Sequence, residues 1–179
     1  MKPFIFDVMR MLLKDDIIHT MAEIGTHKGG SAQQFIKLLA PRVETFKYYG
    51  YDIFDADNPD LAFHKQERNG KDPAAYEVAV KTLKKSKQRH KNLEYKLYRG
   101  FTTDTLTKPI QFDFVYIDGG HSYETVKHDY SMTKDSKIII FDDLKLPGVR
   151  QFIDELISQN VNVEIINTPS KHIWGVIRN

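Results

Sequence analysis

Residues 112–143 read FDFVYIDGGHSYETVKHDYSMTKDSKIIIFDD, and this stretch decides the fold. It contains two short apolar runs, 112–117 and 138–141, and each run ends abruptly in aspartate. Runs of this length that are rich in Val, Ile and Phe are typical of parallel strands buried on both faces. Between them, Ser122 and Glu124 predict a helix start, with an apolar side formed by Tyr123, Val126 and Tyr130. The stretch therefore predicts a strand, a helix and a second strand.

Acidic side chains and one histidine, which can bind ligands or transfer protons, follow the two predicted strands. Asp118 and then His121 follow the first strand, and Asp142 and Asp143 follow the second. A right-handed crossover brings the carboxyl ends of both strands to one edge of the sheet. We therefore expect three carboxylates and one imidazole to converge at the edge where open α/β sheets bind ligands.

The composition is that of an ordinary globular protein. The 179 residues are 41% hydrophobic and 28% charged, with a net charge of +2, and they predict a single domain over 1–179. The charge gives no argument for nucleic acid or a membrane surface. The absence of cysteine excludes disulfides and thiolate metal sites. No segment predicts a signal peptide or membrane span, so we expect a cytoplasmic protein.

A glycine-bearing turn forms the second informative stretch, TMAEIGTHKGGSAQQFIKLLAP. A strand ending near Ile24 is followed by the turn and then by a helix with Ala32, Phe35, Ile36 and Leu39 on one face. Ser31 and Gln34 match a capping box. Glycines in such a turn let the backbone approach a ligand, and Glu23 beside it suits an amino group better than a phosphate. Because His27 replaces the second glycine of GxGxxG, the turn disfavours a dinucleotide.

The second predicted strand, 47–51, ends in Asp52. An acid at this point, about 20 residues past a glycine turn, can accept both hydroxyls of a ribose. A lone aspartate here would more often be a helix cap or a turn residue. The combination with the glycine turn favours a nucleoside-containing cofactor.

Flanking segments complete the predicted architecture. Residues 4–13 predict an amphipathic helix whose apolar side contains Phe4, Val8, Met11 and Leu12. Asp72 and Pro73 predict the start of a helix with a buried face of Tyr76, Ala79, Val80 and Leu83 and a basic tail over 81–91. That tail either complements the helix C-terminus or attracts an acidic partner, and its lack of aromatic residues disfavours single-stranded nucleic acid.

The remaining strands lie in the second half of the chain. Alternation at Leu93, Tyr95 and Leu97 predicts a third strand that ends in Arg99 and Gly100. After a helix with Val149, Phe152, Ile153 and Leu156 on one face, the runs 163–166 and 173–177 predict a closing hairpin.

Taken in order, these motifs resemble class I S-adenosylmethionine-dependent methyltransferases, and most closely the branch of macrocin-type sugar O-methyltransferases. The matching segments are EIGTHKGGSA, YDIFD, RGFTTDTL, YIDGGHSYETVKHD, IIIFDDL and PGVRQFIDEL. The resemblance implies an α/β, Rossmann-like, seven-stranded sheet that is mostly parallel, with helices on both faces and an antiparallel last strand. No DPPY-like or NPPY-like segment follows the fourth strand, which disfavours base N-methylation and nucleic acid as a partner.

The resemblance also implies roles for individual residues. The methionine part of the cofactor would lie against Glu23, Gly25, Thr26, Gly29, Gly30 and Ser31. Asp52 would bind the ribose, and Phe101 and Thr102 would lie beside the adenine. Asp118 would belong to the cofactor site and also, with His121, to the catalytic residues. Asp118, Asp142 and Asp143 match positions that hold a divalent metal, and His121 matches a general base. Three carboxylates without a thiolate favour Mg²⁺ first, with Ca²⁺ or Mn²⁺ behind it.

Two other functions compete with this interpretation. A nicotinamide-dependent oxidoreductase is the enzymatic alternative, and a binding module that keeps the cofactor pocket without catalysis is the other. His121 could also have only a structural role, and one of the adjacent aspartates could be a helix cap with no metal bound. The predicted partner is a small hydroxylated molecule, with a homo-oligomer left open.

Overall fold

The computed structural model describes residues 3–54, 74–167 and 172–179, and side chains from residue 6 onward. Within these ranges the helices are α1 (Pro3–Leu12), α2 (Gly30–Leu39), α3 (Ala75–Arg89), α4 (Thr102–Thr105), α5 (Tyr123–Thr133) and α6 (Pro147–Ser158). A short 3-10 helix, Ala40–Arg42, follows α2. The strands are β1 (Thr20–Ile24), β2 (Phe46–Asp52), β3 (Leu93–Arg99), β4 (Phe114–Ile117), β5 (Ile138–Phe141), β6 (Glu164–Asn167) and β7 (Ile173–Arg178).

The seven strands form one sheet in the order β3-β2-β1-β4-β5-β7-β6. β1 to β5 pair in parallel, and β7 runs antiparallel to both of its neighbours. This confirms the predicted mostly parallel sheet with an antiparallel last strand. The strand order changes direction between β1 and β4, and such a switch point leaves a crevice at the carboxyl ends of the strands.

Two apolar layers cover the two faces of the sheet. α1, α2 and α3 contribute to one core, in which Phe35 packs edge-on against Phe114 with ring centroids 5.6 Å apart. α5 and α6 cover the other face, where Phe152 of α6 contacts Phe141 and both Tyr123 and Tyr130 of α5. The predicted buried faces of α2 and α6 are confirmed, as are helices on both sides of the sheet.

Two local predictions are wrong, although the helix predicted over 4–13 is present as α1. In α1 the buried side chain is Met9, followed by Leu13 just past the helix, whereas Met11 is 72% exposed. Val8 and Leu12 are only partly buried, and the side chain of Phe4 lies outside the described part of the chain. At the end of α1, Arg178 of β7 donates a hydrogen bond to the carbonyl of Leu12.

The capping box is the second error. α2 begins at Gly30 after Gly29, whose left-handed backbone (φ 74°) forms the N-cap without any side-chain hydrogen bond. Ser31 therefore lies inside the helix and is buried. By contrast, the predicted cap at α5 is confirmed, since the amide of Thr125 donates to Oγ of Ser122 at 3.2 Å.

One lysine of the basic tail of α3 contacts the chain beyond the helix. Nζ of Lys87 donates to the carbonyls of Lys91 and Leu93, which follow the last residue of α3, Arg89. The two predicted roles of the tail remain predictions. The predicted helix start at Asp72 and Pro73 lies outside the described residues. Within the described ranges, no helix combines the length and the apolar character needed to cross a bilayer.

Candidate active site

The carboxyl ends of β1, β2, β4 and β5 meet at one edge of the sheet. Hydrogen bonds continue between neighbouring chains just beyond the strand ends: the amide of Gly25 donates to Tyr51 O at 2.8 Å, and that of Asp118 donates to Ile24 O at 2.8 Å. The amide of Asp142 likewise donates to Ile117 O at 2.9 Å. The residues after each strand are thereby held in register. The backbone that carries the predicted site residues is therefore fixed at this edge.

The glycine turn after β1 packs tightly against the turn after β4. Gly25 has φ 100°, and a Cβ there would lie 2.0 Å from the carbonyl oxygen of Asp118. Gly29 is also left-handed and faces Thr82 and Ala79 of α3. At Gly30, by contrast, a Cβ would meet nothing within 4 Å. The first glycine is therefore required for close approach of the two turns, while space remains open at the start of α2.

Glu23 lies beneath this turn and is fully buried. Its carboxylate accepts the hydroxyl hydrogen of Tyr48, and its Oε1 accepts no hydrogen bond of normal geometry from the described residues. Burial raises the pKa of Glu23 to about 7, although the hydroxyls of Ser31 and Tyr48 favour the charged form. A buried carboxyl with an unused oxygen is suited to accept a cationic or N–H donor from a ligand.

Asp52 links the end of β2 to the glycine turn. Its Oδ2 accepts the amide of His27 at 2.8 Å, and its Oδ1 accepts the amide of Phe54 at 2.7 Å. The side chain is only 5% exposed. These two bonds fix the orientation of the Asp52 carboxylate at the edge, and a carboxylate oxygen can accept more than one hydrogen bond.

The segment predicted to lie beside adenine follows β3. Gly100, with φ 135°, donates its amide to Asp52 O at 3.0 Å, which brings the next residues to the same edge. Phe101 precedes the short helix α4, and its carbonyl accepts the amide and the hydroxyl of Thr105. Phe101 and Thr102 are both half-buried, next to the turn that carries Asp52.

His121 and Asp143 face each other across the ends of β4 and β5. Nε2 of His121 lies 3.4 Å from Oδ2 of Asp143, and both side chains are more than a third exposed. The neighbouring imidazole of His121 lowers the pKa of Asp143. Asp118 joins them: one ligand atom from each of the three residues lies within 4.8 Å of the others. The structure thus brings the predicted base together with two of the predicted carboxylates.

Asp142 lies apart from Asp118, in a group of buried polar residues. Its carboxylate accepts Nε1–H of Trp174 at 3.0 Å, the amide of Asp143 at 2.7 Å and the hydroxyl of Tyr116. Nδ1 of His172 lies 3.3 Å from the same carboxylate. Sequence reasoning did not identify His172 or Trp174, because they lie about 30 residues beyond Asp142 on the returning strand of the hairpin, with no diagnostic spacing.

The start of α6 supports the turn that carries His121. A Cβ on Gly148 would lie 2.4 Å from the carbonyl oxygen of His121 and 2.6 Å from the amide nitrogen of Tyr123. Such distances do not occur between real atoms, so only glycine permits this contact. The position of His121 therefore depends on a helix that follows it by more than 25 residues.

A family model described as a methyltransferase domain matches residues 22–144, which contain every site residue discussed above except Gly148, His172 and Trp174. The chain belongs to this methyltransferase family. The enzyme class predicted from the motifs is thereby confirmed, and the family assignment favours methyl transfer over the nicotinamide interpretation. No curated protein matches the chain.

Solved structures of other methyltransferases have the same fold as this chain. An O-methyltransferase from Bacillus cereus in complex with SAH superposes with a TM-score of 0.66 at 13% identity, over 100% of this chain and 82% of that one. TomG, an O-methyltransferase from Streptomyces achromogenes in complex with SAM, gives 0.61 at 14% identity, over 96% and 78%. A methyltransferase from Geobacter sulfurreducens gives 0.63 at 11% identity, over 99% and 80%. At these identities the similarity establishes the fold alone.

Proposed function

We propose that this protein is an S-adenosylmethionine-dependent O-methyltransferase that acts on a small hydroxylated acceptor, such as a sugar or glycan precursor. The observation that carries the proposal is the hydrogen bond from the His27 amide to Asp52, within a chain of the methyltransferase family. It joins the two features that favoured a nucleoside cofactor, the glycine turn and the acid at the end of β2, into one site. The resemblance to the macrocin-type motifs supports the choice of acceptor.

The residues at the edge suit the parts of such a cofactor. Asp52 offers acceptor capacity for ribose hydroxyls, and Glu23 has a buried oxygen suited to the amino group of the methionine part. The open space at Gly30 admits the same part, with Thr26, Gly29 and Ser31 around it. Phe101 and Thr102 would flank the adenine. When bound, S-adenosylmethionine supplies a methyl group on a sulfonium, which is electrophilic.

His121 would take the proton of the acceptor hydroxyl. An alcohol is a weak nucleophile until it loses its proton, and an imidazole titrates near neutral pH. Asp143 lies 3.4 Å from Nε2 of His121 and would stabilise the imidazolium that forms. Positioning the acceptor oxygen in line with the methyl group supplies the rest of the rate acceleration.

A divalent cation would assist at the same edge. We propose that carboxylates of the set Asp118, Asp142 and Asp143 bind it, with Mg²⁺ as the first expectation from oxygen ligands. Such a cation would lower the pKa of the acceptor hydroxyl and orient it. The arrangement of Asp118 and Asp143 around His121 supports this role, whereas Asp142 belongs to the neighbouring buried group.

Calorimetric titration with S-adenosylmethionine tests the cofactor class. We expect saturable binding to the wild type and a loss of about 10- to 100-fold in affinity for Asp52→Ala and Asp52→Asn, the range for hydrogen bonds to a charged group. Asp15→Asn is the matched control, because the Asp15 side chain is 85% exposed and precedes the amino end of β1, whereas the site lies at the carboxyl ends of the strands. Absence of binding to the wild type, or equal affinity in all variants, contradicts the proposal.

The acceptor is tested with S-adenosylmethionine that carries a labelled methyl group. Incubation with a panel of hydroxylated sugars should transfer the label to oxygen, as identified by mass spectrometry of the products. Reduced nicotinamide with carbonyl substrates provides the opposing assay. Hydride transfer in that assay, with no methyl transfer to any acceptor, would favour the oxidoreductase.

A further inference from the structure

Positive charge is concentrated on the exposed side of α3. The segment 81–91 contains six of the 26 lysines and arginines of the chain and none of its 24 acids, so the rest of the chain has a net negative charge. Lys81, Lys84 and Lys85 are exposed in the middle of α3. The partial charge at a helix C-terminus attracts cations only within the last turn. The end of α3 therefore does not explain these three lysines.

The three lysines of α3 also lack the ion pairs that exposed cations form on other elements. Such pairs join Lys47 to Glu94, Lys127 to Glu155 and Arg150 to Asp154. In the part of the chain that the structure describes, no acid pairs with Lys81, Lys84 or Lys85. Like charges three and four residues apart on a helix repel each other. An acidic partner would relieve this repulsion.

A predominantly apolar hollow lies beside these lysines. Its volume is about 280 Å³, and its lining consists of Tyr76, Glu77, Val80, Lys81 and Lys84. Residues four apart are neighbours on a helix surface, so Tyr76, Val80 and Lys84 form one row and Glu77 and Lys81 form the row beside it. Apolar surface and positive charge therefore lie side by side along α3.

We propose that this surface of α3 is a docking site for an acidic amphipathic helix of a partner protein. One apolar side chain of the partner would enter the hollow against Val80, and carboxylates one turn away would meet Lys84 and Lys81. Val80 and Lys84 are themselves one turn apart, about 6 Å along the axis, which matches the spacing of such side chains on a second helix.

The docking surface is separate from the site at the sheet edge. Thr82 of α3 contacts Gly29 of the glycine turn, and each residue of a helix is rotated by about 100° from the one before it. Val80 therefore lies on the opposite side of α3 from Thr82. The inference goes beyond methyl transfer and does not depend on it.

The chemistry of the hollow favours a protein segment over a nucleic acid or a small ligand. A phosphate backbone supplies charge but no apolar group to fill the hollow. A stacked base needs an open aromatic face, whereas the ring of Tyr76 has the guanidinium of Arg99 over it at 5.1 Å and packs edge-on against Phe54. The volume is also below the range of about 300 to 1,000 Å³ for small-molecule sites, so it suits a single anchoring side chain.

The test is a titration of the full chain into a fluorescent synthetic helical peptide that carries leucine on one face and glutamate on the others, followed by fluorescence anisotropy. We expect saturable binding to the wild type and a loss of about 10- to 100-fold in affinity for the double variant Lys81→Glu with Lys84→Glu. Lys37→Glu with Lys134→Glu is the matched control, since it makes the same change in net charge at exposed lysines of α2 and of the end of α5. The affinity of this control should stay within about threefold of the wild type.

A second peptide, with every leucine replaced by serine, separates the apolar anchor from the charge. The replacement should lower the affinity for the wild type about tenfold. For Val80→Ser it should change the affinity by less than about threefold, because this variant has already lost the apolar contact. Val80 is only partly buried, so Val80→Ser should keep the fold, and thermal denaturation verifies this.

Three results would overturn the inference. Failure of the leucine peptide to bind the wild type removes the docking site. An equal loss of affinity in the Lys81 and Lys84 double variant and in its control shows a general attraction by net charge. Tighter binding of a DNA duplex than of the peptide, with the same sensitivity to the double variant, assigns the surface to nucleic acid. No sample contains S-adenosylmethionine, so these outcomes are distinct from a failure of the proposed function.

Discussion

Tyr48 of β2 donates its hydroxyl hydrogen to the carboxylate of Glu23 in β1, and both side chains are completely buried. Burial raises the pKa of both groups, so each keeps its own proton to a higher pH than it would in water. This pair lies under the glycine turn that we propose receives the methionine part of the cofactor. Its charge state should therefore affect both folding stability and ligand binding.

The stability of the wild type should fall as the pH rises from about 4.5 to about 7. The folded protein keeps a proton on Glu23 up to about pH 7, whereas the unfolded chain loses it near 4.5, so the folded state binds more protons in this interval. The difference corresponds to roughly 3 kcal/mol in the free energy of unfolding. Urea denaturation at pH 4.5 and pH 8, for the wild type and Glu23→Gln, measures it.

Glu23→Gln should remove most of that pH dependence, because glutamine does not ionise. The variant should gain stability relative to the wild type at pH 8 and differ little at pH 4.5. Parallel curves for the two proteins would show that Glu23 does not hold the proton. Glu44→Gln, an exposed position, controls for the change in charge.

Gly25→Ala and Gly30→Ala should have opposite outcomes. At Gly25 the left-handed backbone and the 2.0 Å approach to Asp118 O leave no room for a methyl group, so we expect a loss of at least about 3 kcal/mol in stability or failure to fold. At Gly30, in the first turn of α2 with open space around it, alanine should be neutral or stabilise by up to about 1 kcal/mol. Thermal denaturation of both variants measures the difference in stability. Equal melting temperatures would contradict the prediction.

Gly148→Ala should lower kcat through the position of His121. The added methyl group would collide with the carbonyl of His121 and displace the turn, while the glycine turn and Asp52 lie elsewhere at the edge. We expect affinity for S-adenosylmethionine to change by less than about threefold and kcat to fall by about 10- to 100-fold. Unchanged kcat in a folded variant would show that α6 does not position the base.

His121→Gln should lower kcat by about 100- to 10,000-fold, the range for loss of a general base. Cofactor affinity should stay within about threefold of the wild type, because His121 lies beside Asp143 and not in the glycine turn. Methyl transfer at saturating acceptor measures kcat. His128→Gln, in the middle of α5, is the matched histidine control, and a similar fall in both variants would argue for a structural role.

Much of the site could be predicted because it lies at strand ends. Short apolar runs that stop at an acid mark a parallel strand and its carboxyl end, so Asp52, Asp118 and Asp143 were correctly expected at one edge of the sheet. The close backbone approach at Gly25 could also be predicted from its position in the sequence. A glycine in a strand-to-helix turn indicates close approach of the backbone, here to Asp118 O.

Local signals failed where the tertiary neighbours decide. Asp142 and Asp143 are equivalent by sequence, yet Asp142 is enclosed by Tyr116 and Trp174, whereas Asp143 has φ 57° and is half-exposed. Ser31 matches a cap pattern, but the N-cap of α2 is Gly29, two residues earlier, with its left-handed backbone. In α1, Met9 is the buried residue in place of Met11, which is exposed.

The sequence alone therefore determined the order of strands and helices, the glycine turn and the acids at the strand ends, because these depend on hydrophobic periodicity and on turn chemistry within a few residues. Only the tertiary structure decided which acid is enclosed, which histidine meets Asp143 and which helix supports the turn of His121. Those contacts join residues that lie far apart along the chain, such as His121 with Gly148 and Asp142 with Trp174. Packing of the sheet brings these residues together, and no pattern within a short stretch of sequence specifies contacts between such distant parts of the chain.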